Sequence, residues 1–285
     1  EKRHLVPEVG MFWQIGHDDG MEFNILSRQT KDIFRGAPSY RPSFNAYMWA
    51  DAQAIARIAA AAGDKTTAER FRGKADQLKT KVQSLLWDPK REFFFPMLRN
   101  DEQDKDGVTM KAMTLTHQSG KFAGSPHGRE EVGFVPWQFN MPDPGYEAAW
   151  QFLMSKDFFY ADFGPLTVER HDPMFLIQTW CCWWSGMSWP YATTQTLKAM
   201  ANLLQGYQQS YVSRADYFKL LRNYALTHRK NGKPYLAEAV QPDTGSFDGH
   251  DGFNHSEHYF HSGFDDLIIT GLVGVKPRPD NLIEI

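Results

Sequence analysis

The sequence predicts a mainly α-helical chain in which helices pair as in an (α/α) toroid, a ring of helical hairpins. Residues 43–62 place apolar side chains at helical spacing and are followed by Gly63, a common residue at helix ends. Asp64 then caps a second helix that extends through Trp87. The very short connection predicts that these two helices form a hairpin. Further helical segments follow, separated by loops and short strands, at residues 144–154, 189–207 and 214–228.

Local signals support the individual elements. Pro190 lies in the first turn of the 189–207 helix, and Ser213 caps the 214–228 helix. Residues 92–95 predict a short strand, whereas residues 99–126 are polar and contain glycine, which predicts a long surface loop. The second helix has an apolar face that consists of Phe71, Ala75, Leu78, Val82 and Leu85.

The composition fits one large domain with a full core. The 285 residues are 42% hydrophobic, which is enough for a full core, and the net charge is −3. This near-neutral balance gives no electrostatic reason to expect nucleic acid or an anionic membrane as a partner. No stretch approaches the ~20 apolar residues of a membrane span.

The two cysteines, Cys181 and Cys182, are adjacent, so no disulfide framework is expected. They leave the cellular compartment open. The chain opens with EKRH and shows no apolar signal segment there, although a preceding segment could have been removed. We place a periplasmic or secreted location ahead of a cytoplasmic one.

The most informative motif is GHDDGMEFNI at residues 16–25. It brings Asp18, Asp19 and Glu22 together with His17 within six residues. Like charges this close repel, so at least one of these carboxyls is a candidate for a raised pKa. A carboxylic acid that keeps its proton near neutral pH can serve as a general acid. The apolar and aromatic flanks argue against a fully solvated acidic turn.

A second carboxylate motif is PYLAEAVQPDTG at residues 234–245. Glu238 stands in an otherwise uncharged stretch, just before PDTG, which is typical of a turn. A lone glutamate of this kind is most often structural. Two carboxylates across a groove, however, are the minimum for glycosidic-bond hydrolysis, in which one protonates the leaving oxygen and the other activates water or attacks carbon.

These motifs resemble those of the six-hairpin glycosidases: trehalases, glycoside hydrolase family 63 and mannosylglycerate hydrolase-like enzymes. GMEFN at residues 20–24 is similar to the segment that carries their general acid, and EAVQPDTG at residues 238–245 to the segment that carries their general base. WSGMSWPY at residues 184–191 and HSGFDDLIITGL at residues 261–272 also look like segments of these enzymes. The order of the four motifs matches, and the resemblance covers nearly the whole chain.

The resemblance implies an (α/α)6 toroid, of which this chain is expected to supply the C-terminal portion plus short strands. It also implies that Glu22 is the general acid and Glu238 the general base of an exo-acting, inverting glycoside hydrolase. One departure matters, because Glu22 stands where trehalases have aspartate. Asp19 therefore stays open as an alternative acid.

The domain organisation expected from this comparison is simple. Residues 1–275 form the catalytic (α/α)-barrel domain, incomplete at its N-terminus, and residues 276–285 begin a C-terminal β segment. Another part of a longer chain would then complete the barrel.

Several residues are candidates for contact with substrate. The resemblance places Trp184 and Trp189 on the active-site face. Trp137 lies in an apolar, proline-bounded segment, which favours core packing, although a position between toroid helices would favour a sugar platform. Glu169 and Arg170 form either a solvated, salt-bridged turn or hydrogen bonds to sugar hydroxyls. The remaining expected contacts are Trp13, His17, Asp18, His255 and His261.

The C-terminal histidines raise the question of a metal. His255, His258 and His261 are spaced by three and would share one face only if their segment is helical. No cysteine cluster or His-Glu-x-x-His pattern supports zinc. We expect no cofactor and no catalytic metal, with a structural calcium ion left open. His255 and His261 are expected to bind sugar hydroxyls or to orient a carboxylate.

The leading functional hypothesis is hydrolysis of an oligosaccharide or glycoside. One alternative is a polysaccharide lyase, in which Tyr259 with His255 or His261 would abstract a proton next to a uronate. Lyases of anionic polymers favour a basic groove, which the net charge of −3 does not indicate. The other alternative is a non-catalytic carbohydrate-binding fragment.

Overall fold

A computed structural model of the chain describes residues 3–16, 20–179, 182–248, 262–276, 278, 280 and 282. Short 3₁₀ helices span Glu131–Phe134 and Glu147–Phe152, and a π-helix spans Leu267–Leu272. The α-helices are α1 (Ile25–Gln29), α2 (Pro42–Ala61), α3 (Lys65–Leu85), α4 (Val135–Gln138), α5 (Pro190–Gly206), α6 (Arg214–Leu226) and α7 (Phe264–Asp266).

Two-residue strands pair as small antiparallel ribbons between the helices. The pairs are β1 (Leu5–Val6) with β2 (Met11–Phe12), β3 (Ser39–Tyr40) with β6 (Met97–Leu98), β4 (Trp87–Asp88) with β5 (Phe93–Phe94), β7 (Glu102–Gln103) with β8 (Thr109–Met110), and β9 (Arg229–Lys230) with β10 (Lys233–Pro234). Several strand residues, among them Met11, Phe93 and Phe94, are buried in the main hydrophobic cluster, so the ribbons contribute to the core.

The predicted helical hairpin is confirmed as α2 and α3, which pack against each other. Gly63 adopts a left-handed φ of 79° between them, where a side chain would be strained. The Asp64 side chain accepts a hydrogen bond from the Thr67 backbone N–H at 2.9 Å and so caps α3. Of the predicted apolar face of α3, Ala75, Leu78 and Val82 are buried.

The two later helices also begin where their start signals predict. Pro190 is the first residue of α5. The N-terminus of α6 carries a reciprocal capping box, in which Ser213 and Asp216 each bond the other's backbone N–H. Helix α5 packs against α4, α6 and the π-helix, so it lies at the centre of the later helices.

Two predictions of local structure need correction. Residues 144–154 are not a full α-helix but hold only the 3₁₀ helix Glu147–Phe152, because Gly145 breaks the segment with a φ of 116°. Residues 99–126 are irregular as predicted but include the β7–β8 ribbon, which the polar composition concealed.

The core is dominated by aromatic rings that meet at inclined angles. Trp137 and Trp150 are fully buried, with ring centroids 5.7 Å apart at 83°. Phe94 meets Trp137 at 5.5 Å, and Phe134 meets Trp150 at 4.8 Å. The predicted sugar platform at Trp137 is therefore wrong, because a ring with no exposed surface cannot stack on a ligand.

Among the described residues, no helix combines the length and apolar character that crossing a bilayer demands.

The burial of Trp137 makes a stability prediction. Trp137→Ala should lower the free energy of unfolding by about 3–5 kcal/mol, because it opens a large cavity in the core. Urea denaturation measures the loss. The control is Phe218→Ala, whose ring on α6 is 54% exposed and which should stay within about 0.5 kcal/mol of wild type. A Trp137→Ala protein with unchanged stability but weaker sugar binding would restore the platform interpretation.

Candidate active site

Residues 184–188, called the clamp segment below, hold the two carboxylate motifs in one place. The Trp184 backbone N–H donates to the Glu22 carbonyl oxygen at 3.0 Å. The Ser188 N–H donates to the Val240 carbonyl at 3.1 Å, and the Val240 N–H returns a bond to Ser188 at 2.9 Å. One short piece of backbone thus pairs with the residue that bears the first carboxylate and with a residue two positions after the second.

Packing joins the same segments. Met21, which precedes Glu22, and Ala239, which follows Glu238, belong to one buried hydrophobic cluster. Trp184 and Trp189 belong to it as well, and their rings stack at 4.5 Å and 28°. The other members are Val132, Met187 and Ala192. The structure therefore brings together the segments that carry Glu22 and Glu238, which lie more than two hundred positions apart in the sequence.

The Glu22 loop is shaped by its neighbours. Asn24 caps α1 by accepting a hydrogen bond from the Ser27 N–H at 3.1 Å. Phe23 adopts a φ of 53°, and its ring stacks on Trp183 at 4.8 Å. Ser185 donates a hydrogen bond from its hydroxyl to the Phe23 carbonyl at 2.7 Å. These contacts hold the backbone that directly follows Glu22, and Glu22 itself is half-buried.

Glu238 is buried, with 7% of the residue exposed, and the turn after it is firmly built. The Gln241 side-chain oxygen accepts hydrogen bonds from the backbone N–H groups of Asp243 and Thr244 at 2.7 and 2.5 Å. Gly245 has a φ of 70°, and a Cβ there would lie 2.5 Å from the Phe163 ring. The predicted PDTG turn is thus present and depends on its glycine.

Arg170 contacts this turn. Its guanidinium forms a two-pronged ion pair with the Asp243 carboxylate, at 2.7 and 3.0 Å. Arg170 was predicted to bind sugar hydroxyls. In the structure its side chain instead binds the turn that follows Glu238. The pair is partly exposed, so its contribution to stability is small.

Glu169 lies in the core and not at the site. Its carboxylate is fully buried and accepts hydrogen bonds from the Arg129 guanidinium at 3.0 and 3.2 Å and from the Arg129 backbone N–H at 2.9 Å. The prediction that Glu169 binds sugar hydroxyls is wrong, because its oxygens are occupied within the core.

The tryptophans also differ from expectation. Only 3% of Trp184 and 2% of Trp189 are exposed, so their rings form the packed centre between the carboxylate segments and do not present an open platform. Trp13 is half-buried, with the Arg99 guanidinium 4.1 Å from its ring centre.

Five predicted site residues fall outside the described residues: His17, Asp18, Asp19, His255 and His261. Tyr259, named for the lyase alternative, lies outside them too. Their roles stay predictions. Among the residues that the structure describes, no group of three or more His, Cys, Asp and Glu side chains is arranged to hold a metal ion.

Sequence reasoning missed Glu131, which lies beside the cluster. Its carboxyl is buried and accepts a hydrogen bond from the Thr196 hydroxyl on α5 at 2.8 Å. Its second oxygen, Oε2, has no hydrogen-bond partner among the described residues. Burial raises the pKa of Glu131 well above its usual value, and the Thr196 bond lowers it only in part. The available signal was an acidic pair directly before an apolar run, REEVGFVPW.

Comparison with known proteins shows that this mainly helical fold is that of the six-hairpin glycosidases. Residues 2–262 match the model of the mannosylglycerate hydrolase MGH1-like glycoside hydrolase domain. The chain belongs to this family. No curated protein matches it.

Solved structures show the same fold. A chain described as a sialidase is 34% identical, with a TM-score of 0.82 over 99% of this chain and 24% of the sialidase chain. A family 63 mannosylglycerate hydrolase from Thermus thermophilus, solved with glucose, is 16% identical, with a TM-score of 0.53 over 84% of this chain and 48% of its own. The present chain thus spans about a quarter of the sialidase chain and about half of the hydrolase.

The buried acid Glu131 makes a pH-dependent stability prediction. A carboxyl whose pKa is raised on folding stabilises the protein below its unfolded pKa, and that stability is lost as pH rises toward the folded pKa. The glutamine of Glu131→Gln cannot ionise, whereas the wild-type carboxyl loses its stabilising effect as pH rises. The melting temperature of Glu131→Gln minus that of wild type should therefore increase from about pH 4.5 upward. The exposed Glu69→Gln on α3 is the matched control. A pH-independent difference for Glu131→Gln would contradict the assignment.

Proposed function

We propose that this chain carries the catalytic carboxylates of an exo-acting, inverting glycoside hydrolase. Glu22 is the general acid and Glu238 the general base. The observation that carries the proposal is the clamp segment, which binds the Glu22 backbone and pairs with Val240, while Met21 and Ala239 share one buried cluster. Membership of the MGH1-like glycoside hydrolase family supports it.

The chemistry follows from the two carboxyl groups. Glu22 gives its proton to the glycosidic oxygen as the bond from that oxygen to the anomeric carbon breaks. Glu238 takes a proton from a water molecule whose oxygen bonds to the opposite face of the anomeric carbon. The released sugar has inverted configuration, and proton exchange with solvent restores both groups. Such a reaction requires the carboxyls to stand roughly 6.5–9.5 Å apart.

The surroundings of the two residues suit unequal roles. Glu238 lies on a segment held from both sides, by Ser188 at Val240 and by the Arg170–Asp243 pair in the next turn. Rigid support of this kind keeps a base aligned with its water. Glu22 lies in a tight loop and is more exposed than Glu238, which suits delivery of a proton to an incoming leaving group.

The substrate class proposed is an oligosaccharide or a simple glycoside. His17, Asp18, His255 and His261 are retained as proposed contacts to it, and Asp19 as the alternative acid. An activity screen of the full-length protein over aryl glycosides and defined oligosaccharides identifies the sugar. New ultraviolet absorbance from an unsaturated uronide, without hydrolysis, would instead identify a lyase.

The acid and base assignments predict large losses of turnover. Glu22→Gln should lower turnover by at least about 10²-fold, most strongly for poor leaving groups, because a general acid contributes about 10²–10⁴-fold. Glu238→Ala should abolish hydrolysis of an ordinary glycoside. Steady-state kinetics with Glu69→Gln as a control checks both. If Asp19→Asn is far more damaging and Glu22→Gln is mild, Asp19 is the acid.

The stereochemical course is a separate prediction. Proton NMR of the first-formed sugar should show the anomer opposite to that of the substrate, since one displacement inverts the centre. Azide added to Glu238→Ala should yield no product with the substrate's own configuration. Formation of the retained anomer by wild type would mean a covalent intermediate, and Glu238 would then be a nucleophile.

A further inference from the structure

A small polar cluster, formed by Tyr47, Tyr191 and Gln195, joins α2 to the first turns of α5. The Gln195 side-chain N–H donates to the Tyr47 hydroxyl oxygen. The hydroxyls of Tyr47 and Tyr191 lie 3.5 Å apart, which is longer than an ordinary hydrogen bond between two hydroxyls. This cluster has no part in the acid and base chemistry described above.

The cluster has unused hydrogen-bonding capacity. Gln195 is 94% buried, because only 6% of it is exposed, yet its Oε1 has no partner among the described residues. Exchanging the two amide atoms would leave the amide nitrogen without a partner instead, so one buried polar atom remains in either orientation. A buried amide group without a partner costs stability. Native proteins retain such groups where a ligand or water completes them.

The cluster is adjacent to the proposed site. The Tyr191 ring meets the edge of Trp184 at 6.0 Å, and the Trp184 backbone binds the Glu22 carbonyl at 3.0 Å. The Trp184 ring N–H is also buried without a partner among the described residues. Tyr191 is 37% exposed, so the residue has surface that a bound molecule can reach. Polar atoms without partners among the described residues therefore lie next to Trp184, whose backbone holds the segment that bears Glu22.

We propose that Tyr191 and Gln195, with Tyr47 behind them, form a subsite that binds two neighbouring hydroxyls of an uncharged pyranose ring. The inference rests on the proposed function and deepens it by naming the chemistry of the sugar. A sugar hydroxyl both donates and accepts, so one hydroxyl can donate to the Gln195 oxygen while its neighbour bonds the Tyr191 hydroxyl. Neither the tyrosine hydroxyl nor the glutamine amide carries a charge, which favours a neutral ring over a uronate or an amino sugar.

The first experiment measures selectivity, since any destabilised variant loses activity. The probes are an aryl glucopyranoside and an aryl mannopyranoside, each with its single-deoxy analogues, assayed with the full-length protein. Wild type should disfavour the analogues that lack one of two adjacent hydroxyls. Tyr191→Phe should reduce that discrimination about tenfold at one hydroxyl, and Gln195→Leu at its neighbour, as expected for loss of one neutral hydrogen bond. Tyr211→Phe, which removes another partly exposed hydroxyl, is the control.

The second experiment is independent of turnover. Binding of methyl glucoside and methyl mannoside is measured by calorimetry on Glu238→Ala, with and without Tyr191→Phe. A tenfold weaker affinity in the double variant supports the subsite even if wild type hydrolyses nothing, in which case the proposed function alone fails. The subsite is overturned if neither methyl glycoside binds, if Tyr191→Phe leaves affinity unchanged, or if both variants reduce kcat/KM equally for the parent glycosides and all deoxy analogues.

Discussion

The pairing of the clamp segment with its surroundings is the interaction on which the rest of the site depends. Trp184 bonds the Glu22 carbonyl, the Ser185 carbonyl accepts from the Leu176 N–H at 2.8 Å, and the Gly186 N–H donates to the Thr167 hydroxyl at 2.9 Å. Ser188 then pairs with Val240 in both directions. Each residue ties a different part of the chain to one place. A buried backbone group left unpaired here would cost stability, so these hydrogen bonds fix the position of the segment.

Close approach explains why this segment contains glycine. A Cβ on Gly186 would lie 2.7 Å from the Leu176 carbonyl oxygen, nearer than real Cβ atoms come. A side chain would therefore push the backbone at Leu176 away and break the Ser185 bond beside it. The stacked Trp184 and Trp189 rings then fill the space between the carboxylate segments. The large rings stabilise the site through packing, and the small residue permits the backbone contacts.

A buried ionic network supports the loops behind the site. Arg129 binds Glu169, and its other nitrogen donates to the Arg91 carbonyl at 2.7 Å. Arg91 binds Asp88 at 2.7 Å. Burial raises the pKa of Asp88, but the contacts with Arg91 lower it by more, so the pKa lies below its usual value. His117 pairs with Asp172 at 2.9 Å, and neither side chain is exposed. Removing one partner from such a pair strands a buried charge, so these groups constrain the fold as a set.

The sequence by itself determined the main helical hairpin and the starts of two later helices, and it nominated Glu22 and Glu238, whose roles are proposals. Capping residues and the spacing of apolar residues act within a few positions of the chain. Asp64, Pro190 and Ser213 were therefore enough to predict the α2–α3 hairpin and the starts of α5 and α6. Only the tertiary structure decided which polar and aromatic side chains face the interior. The sequence around each of Glu169, Trp137 and Glu131 is compatible with either a substrate-binding position or a buried position. Their burial depends on partners such as Arg129, Trp150 and Thr196, which are 13 to 65 positions away, because packing and desolvation are set by non-local contacts that no local spacing encodes.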